Sequence, residues 1–538
     1  MSLSGYFLGK QTKAIGFVLI AVMMAVGAVP ALAGDVLTYH NDLARTGQNL
    51  NETILTTGNV NSAGFGLLFT LKVDSDIDAQ PLYVSGLTIA GVSHNVLYAV
   101  TENDSVYAFD ADTGAQLWKV SAFLTGETAA QTKPLKCNQI NPSIGVSETP
   151  VIDRSSGPNG TIFVEAMSED VAGNYYHRLH ALDLTTGAEL FGGPTTIQAQ
   201  YPGNGPNSQN GMVTFVPSEY AERSGLLLVN GVIYMGFTSH CDNQPYGGWL
   251  MGYSESTLAQ TSVIGLTPNG TEGSIWMSGA APASDGTNIY LLDANGTFDT
   301  TLNASGFPAM GDYGNAFLKV SPSGGLKVAD YFAMFNTVLQ SEKDRDFGSG
   351  GVLLLPPQAN ARGVTYDLAV GAGKDGNIYL VNQANMGKFN VTSNKIYQEV
   401  RTVLGSGMWA MPAYFNGNVY FGPQLGSLKQ FTFSSARLSA TAASVTSISY
   451  EYPGTIPSIS ANGTTNGIVW AVEHAAPSVL HAYDATNLAT ELYNSNQAAG
   501  SRDHFGNASH FGVPTISNGK VYVGTTKGVA VFGLLGTK

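Results

Sequence analysis

Along this chain the apolar positions come in short alternating runs, each closed by a glycine turn. One phrase opens on proline, continues through a β-prone stretch and ends on glycine. It reads PLYVSG from Pro81, PVIDRSSG from Pro150, PAYFNG from Pro412, PSISANG from Pro457 and PTISNG from Pro514. A second run with a central aromatic follows, at Tyr98, Phe163, Tyr420, Trp470 and Tyr522; further copies at Tyr234 and Tyr290 follow Gly turns without the same proline. Alternation with a period of two lays one apolar face along a strand. A proline at a strand start sacrifices no ladder donor, and the Asn-Gly pairs at Asn230, Asn416 and Asn518 supply the positive φ of a tight hairpin. Long runs with apolar positions three and four apart, the mark of an amphipathic helix, are not evident.

A third phrase carries a strand into an aspartate turn and out to an aromatic. It runs Val106 to Trp118 (VYAFDADTGAQLW), Leu179 to Phe191 (LHALDLTTGAELF) and Leu480 to Tyr493 (LHAYDATNLATELY). Asp110, Asp183 and Asp484 read as turn-makers that accept hydrogen bonds from the turn backbone. Trp118, Phe191 and Tyr493 read as wedges between neighbouring sheets. The repeat defines eight units, with a margin of one that admits seven. Their innermost strands begin near Asp78, Glu148, Arg223, Glu272, Phe347, Met408, Ile456 and Phe511. The last unit runs out after three strands, and the missing outer strand stands at the other end as GLLFTLKV, Gly66 to Val73. This predicts an all-β, eight-bladed β-propeller in which an N-terminal strand closes the last blade and removes the open sheet edges. Thr38 to Gln48 is expected to pack beside that closure.

Length then changes little. A chain of 538 residues suggests several domains, but repeats escape that rule, and residues 34–538 read as a single propeller domain. Residues 1–33 read as a secretory signal: Lys10 and Lys13 precede an uncharged run from Ala14 to Val29, and Ala31-Leu32-Ala33 follows. The run is short for a membrane span, so the expectation is a periplasmic or secreted protein with no span after cleavage. Only 12% of residues are charged, Gly numbers 64, and the formal net charge is −14. An acidic chain without basic clusters makes nucleic acid and anionic membrane surfaces poor partners.

Two cysteines, Cys137 and Cys241, stand 104 residues apart. In an oxidising compartment they are a disulfide candidate, with a pair of buried free thiols as the alternative. No CxxC or zinc-type spacing exists.

At FDADTGAQLW (Phe109 to Trp118) the chain resembles the tryptophan-docking repeat of PQQ-dependent alcohol dehydrogenases, which are eight-bladed propellers. SHCDNQPYGGW (Ser239 to Trp249), GSGGVLLLPP (Gly348 to Pro357), VGAGKDGNIYLVN (Val370 to Asn382) and HAYDATN (His481 to Asn487) resemble segments of exported PQQ-like repeat proteins. The resemblance implies a pocket on the propeller axis. In the dehydrogenases that pocket holds PQQ over a Trp floor, often beneath a roof of two adjacent cysteines. A calcium ion held by Glu, Asn and Asp accompanies it, and an Asp acts as base. This chain has no adjacent cysteine pair, and no local motif assigns the calcium ligands or the base.

Loops entering the innermost strands of a propeller converge on one mouth. The candidates there are Glu148, Arg223, Glu272, Trp276 and Trp409 for a bound cofactor or ligand, and Asp76 and Asp78 for a metal. Asp346, Asp503, His504 and His510 are further loop candidates. Each has a plainer reading as packing, turn chemistry or a loop-facing charge. The leading expectation is a ligand-binding or protein-interaction scaffold whose partner is a small molecule or an envelope protein. The alternative is a PQQ- and calcium-dependent alcohol or sugar dehydrogenase that passes electrons to an external acceptor.

Overall fold

The alternating runs form antiparallel strands, each hairpin bringing one run beside the next. The structure is a computed structural model that describes residues 1–2 and 34–536. The expected signal, residues 1–33, lies outside the described residues except for Met1 and Ser2. The fold is nearly all β. Counted in chain order from the sheet that starts at Leu82–Ile89, the principal sheets contain four, six, five, four, four, five, five and four strands. They are called the first to eighth sheets below. Small additional sheets of three and two strands are inserted in loops.

Several innermost strands touch their neighbours in chain order. Ala283–Ser284 meets Leu353–Leu354, Ala413–Phe415 meets Ser458–Asn462, and Ser458–Asn462 meets Thr515–Ser517. The last of these, Thr515–Ser517, meets the first, Leu82–Ile89. Thr515 fastens that junction: its hydroxyl donates to Pro81 O at 2.6 Å and accepts from Gln80 Nε2 at 3.2 Å. The outer edge of the eighth sheet is covered by the strand Phe65–Lys72. It pairs antiparallel with Gly528–Leu534 from Phe65↔Leu534 to Lys72↔Gly528, with a bulge between Leu67 and Phe69. One sheet therefore joins an early strand, Phe65–Lys72, to the last strand, Gly528–Leu534, and the edge amides of Gly528–Leu534 are satisfied.

The aspartate turns and their aromatics behave as local chemistry dictates. Asp110 accepts from the amides of Asp112 and Thr113, at 3.0 and 2.7 Å. Asp183 and Asp484 hold Thr185 and Thr486 in the same way. Trp118 leans on the second sheet and donates from Nε1 to Leu184 O at 3.0 Å. A Cβ on Gly187, where φ is +70°, would come within 2.9 Å of that indole, so this turn needs glycine for both its conformation and its contact. Phe191 packs on the apolar cluster of the third sheet. Tyr493 of the seventh sheet meets Phe65 of the eighth edge-on, 5.0 Å between centroids.

The segment before the closing strand departs from expectation. It does not simply pack beside the closure; it travels round the inside of the ring. Val36 pairs with Tyr83 of the first sheet. The carbonyls of Leu37, Leu43, Ala44, Thr46 and Gly47 then accept from the amides of Ile152, Ser284, Leu354, Tyr414 and Ile459, at 2.7–2.9 Å. These belong to the innermost strands of the second, fourth, fifth, sixth and seventh sheets. Tyr39 packs in one cluster with Leu227 and Val229 of the third, and Asn49 Nδ2 donates to Ile516 O of the eighth at 2.9 Å. The physical reason lies in the backbone. Each innermost strand has one unpaired edge facing the axis, and buried amides there require acceptors. The strap supplies them. The innermost strands also begin later than the sequence suggests, at Leu82 where Asp78 was expected and at Ala283 where Glu272 was expected. Between Asp78 and Leu82 the chain forms no ladder, and between Glu272 and Ala283 it passes through bridges at Glu272 and a single 3-10 turn, Met277–Gly279; both stretches border one open cavity.

Candidate functional site

That cavity has a volume of about 880 Å³. It is bounded by the residues that precede the innermost strands, so contributions distant in sequence meet there: Asp76 and Asp78 before the first, Arg223 before the third, Trp276 before the fourth, Trp409 before the sixth. The strap contacts described above lie several residues further along the same strands. Strap and mouth therefore occupy different levels of the ring's interior.

One stretch of the wall is aromatic. Trp276 meets Phe511 edge-on at 5.7 Å, Phe511 meets Tyr452 at 6.1 Å, and Tyr452 meets both Trp409 and His510 at 6.1 Å. Two cations attend it. The Arg223 guanidinium lies 5.5 Å from the Phe511 ring centre, and Lys374 Nζ lies 5.8 and 6.0 Å from the Trp276 and Trp409 rings. Arg223 is anchored by donating from Nη1 to Ser147 O at 3.1 Å. Gly279, at φ +88°, makes room for it, since a Cβ there would stand 2.6 Å from Nη1. Lys374 is paired with Asp344 and with Asp346, the latter at 2.9 Å. Burial pushes the Asp346 carboxyl up, and Lys374 opposes that rise.

The carboxylates of the first sheet complete the mouth. Burial, with the Asp78 charge added, pushes Asp76 up to about 6, so it titrates close to neutrality. On the rim, Cys137 and Cys241 form a disulfide with their Cα atoms 5.5 Å apart. It ties the short helix Thr132–Leu135 and its following loop to the end of the strand Val232–Ser239. His474, also on the wall, is held down to about 3 by burial and by the neighbouring His510.

Of the expected residues, Asp76, Asp78, Arg223, Trp276, Trp409, Asp346 and His510 meet at this mouth, and so do both cysteines. Glu148 and Glu272 do not line it. Glu148 is fully buried and turns away from the axis, where its Oε1 accepts the Glu165 amide at 3.0 Å. Glu272 sits in a loop at φ +64° and accepts from Gln244 Nε2 at 2.8 Å. For Glu148 the reason is alternation: in an extended segment neighbouring side chains point to opposite sides, and the parity is set by the ring; Glu272 is turned aside by its left-handed loop conformation. Asp503 is structural. It accepts from Leu67 N at 3.1 Å and Tyr493 Oη at 2.9 Å, locking the closing strand.

Sequence reasoning passed over Lys374, Tyr452 and Phe511. Lys374 is hidden in the hairpin signal Lys374-Asp375-Gly376. Tyr452 and Phe511 carried a usable signal, because they stand just before innermost strands, as Trp409 does.

No protein-family model matches this chain, and no curated protein sequence matches it. Solved structures do. The quinohemoprotein alcohol dehydrogenase from Comamonas testosteroni superposes with a TM-score of 0.62 at 14% identity, over 95% of this chain and 82% of that one. A quinohemoprotein alcohol dehydrogenase from Pseudomonas putida HK5 gives 0.62 at 14% identity, over 94% and 81%. A europium-containing methanol dehydrogenase gives 0.60 at 14% identity, over 93% and 98%. At such identities the likeness is one of fold, that of the quinoprotein β-propeller.

Proposed function

We propose that this protein is an exported, eight-bladed propeller, periplasmic or secreted, whose axial mouth binds a small planar ligand of the quinone class. The observation that carries this reading is the aromatic wall from Trp276 to Trp409 with Arg223 and Lys374 beside it. Flat indole and phenyl faces suit a planar ring, and a guanidinium suits a carboxylate on its edge. The residues fit PQQ in these respects: Arg223 and Lys374 would meet its carboxylates and Trp276 or Trp409 its ring. Asp78 offers hard oxygen donors for an accompanying calcium ion, which leaves Asp76 outside the ligand set. PQQ, when bound, supplies a two-electron acceptor.

A second reading, dehydrogenation of an alcohol or sugar, is favoured by Asp76. A carboxyl pushed up to about 6 in an open mouth takes a proton near neutral pH, as a general base must. Here Asp76 would take the hydroxyl proton, Asp78 would keep that site electronegative, and the aromatic wall would exclude water.

The test is a titration of the purified mature chain with PQQ, with and without calcium, followed by tryptophan fluorescence. Saturable quenching that Arg223→Met weakens is the expected result. Unchanged fluorescence at millimolar PQQ with calcium overturns the ligand reading. If PQQ binds, dye-linked oxidation of primary alcohols or glucose establishes the second reading; no turnover leaves the protein a binding scaffold.

A further inference from the structure

Outside the mouth, Glu148, Glu165 and Glu222 each contribute a carboxylate oxygen to one group whose members all lie within 4.8 Å of one another. The three side chains come from different places: the entry to the second sheet's innermost strand, the strand Thr161–Asp170 and the strand Tyr220–Glu222. All are sealed from solvent, at 0, 1 and 2% exposure.

The cluster has an electrostatic deficit. Both Glu222 oxygens lack any hydrogen-bond partner, as do Glu148 Oε2 and Glu165 Oε2. The remaining oxygens are spoken for. Glu148 Oε1 accepts the Glu165 amide at 3.0 Å, and Glu165 Oε1 meets His177 Nδ1 at 2.7 Å. His177 is itself fixed, with Nε2 3.0 Å from Tyr220 O. Two sides of the cluster are thus oriented by the protein, and four free oxygens are left. More acid stands nearby: Asp104 is buried with both oxygens unpartnered, and Glu102 has one. Arg178, the cation on that side, is engaged with Glu127 at 2.6 Å. Arg223 is the cation felt at Glu222, and it faces the mouth. Buried carboxylates with free lone pairs are strongly unfavourable unless a cation or protons compensate them.

We propose that Glu148, Glu165 and Glu222 form a structural binding site for one divalent, oxygen-preferring cation of the calcium class. Oxygens on opposite sides of a calcium ion at 2.3–2.6 Å stand about 4.6–5.2 Å apart, which the group's spread accommodates. His177 acts as a positioning residue, holding Glu165 so that its second oxygen is presented, as a histidine–carboxylate pair does around other metals. Nothing in the site requires a quinone. Ala221 and Arg223, either side of Glu222 in the chain, line the mouth, so an ion has a short route in.

The decisive experiment uses the full mature chain without PQQ. Metal content is measured by mass spectrometry after dialysis into chelator-free buffer. Melting is then followed after EDTA treatment and again after adding calcium chloride. Wild type is expected to retain about one equivalent, to lose Tm on chelation and to recover it with calcium, as ligand linkage requires. Glu222→Gln is expected to weaken calcium binding by about 10-fold or more and to melt at a temperature indifferent to calcium. A folded wild type that holds no divalent metal and whose Tm ignores millimolar calcium overturns the proposal, and this arm does not depend on the variant folding. Loss of the calcium response in Asp76→Asn/Asp78→Asn, with Glu222→Gln still responsive, also overturns it, since the ion would then sit in the mouth. A negative PQQ titration has no bearing on any of these readouts.

Discussion

Arg45 donates from Nε to the main-chain carbonyl of Pro282 at 2.9 Å, joining two segments 237 positions apart. Its Nη1 reaches Thr38 Oγ1 at 2.8 Å and Tyr39 O at 2.9 Å, and the side chain is fully buried. One guanidinium thus fastens the strap to the fourth sheet and holds the strap's own turn. Arg45→Ala leaves several buried acceptors without a donor. It is expected to lower unfolding free energy by about 3 kcal/mol or more, measured by urea denaturation.

Gly47 and His40 meet in the same turn. At φ +69°, Gly47 approaches the imidazole so closely that a Cβ would stand 2.4 Å from His40 Cε1. His40 cannot easily retreat, because its ring nitrogens contact Arg45 O and Pro457 O, each at 3.0 Å. Gly47→Ala is expected to destabilise by about 1–3 kcal/mol. In a His40→Ala background the contact disappears and the glycine substitution should cost measurably less, a coupling that a double-mutant cycle reads directly.

Asp76 predicts a pH dependence. Its carboxyl keeps its proton to about pH 6 in the folded chain, against 3.8 ordinarily. Between those values the folded state binds more protons than the unfolded state. Stability contributed by this group is therefore present at low pH and drains away as pH rises from about 4 to 6. Asp76→Asn cannot ionise. Its stability relative to wild type should increase across that window and stay level above it, as denaturation series at pH 4, 5, 6 and 7 would show.

The Cys137–Cys241 disulfide spans 104 positions and sits on the rim of the mouth. Cys137→Ala/Cys241→Ala is expected to lose about 2–4 kcal/mol. The proteolytic sensitivity of residues 133–142 should rise, because the crosslink ties that loop to the third sheet. Limited proteolysis before and after reduction provides the check.

Deletion of the strap and closing strand, residues 34–72, would strip the eighth sheet to three strands and bare Gly528–Leu534 along its length. An exposed apolar edge recruits other chains, so the truncated protein should form concentration-dependent aggregates in light scattering. Full-length protein under the same conditions should remain monodisperse.

The all-β class and the closing strand were legible in the sequence because they rest on local and pairwise chemistry. Period-two runs, proline starts, glycine turns and the incomplete last unit are properties of neighbouring residues. The Asp110 turn and the Trp118 wedge follow from the same local rules. The site was legible in part. Asp76, Asp78, Arg223, Trp276 and Trp409 were named from their position before innermost strands, and they meet at one mouth. Glu148 occupies the same kind of position and is sealed away beside Glu165 and Glu222. Nothing local separates it from Asp78, since the side of an extended segment that faces the axis depends on how that segment seats in the finished ring.

By itself, then, the sequence determined the run of strands and turns and the pairing of the early closing strand with the last unit, all of which follow from alternation and backbone geometry. The tertiary structure alone decided the course of the strap, the meeting of Lys374 with two indoles and the gathering of three glutamates. Those depend on where segments tens to hundreds of residues apart come to rest when the ring closes. The same closure decides which side chains are sealed from water and which open into the mouth.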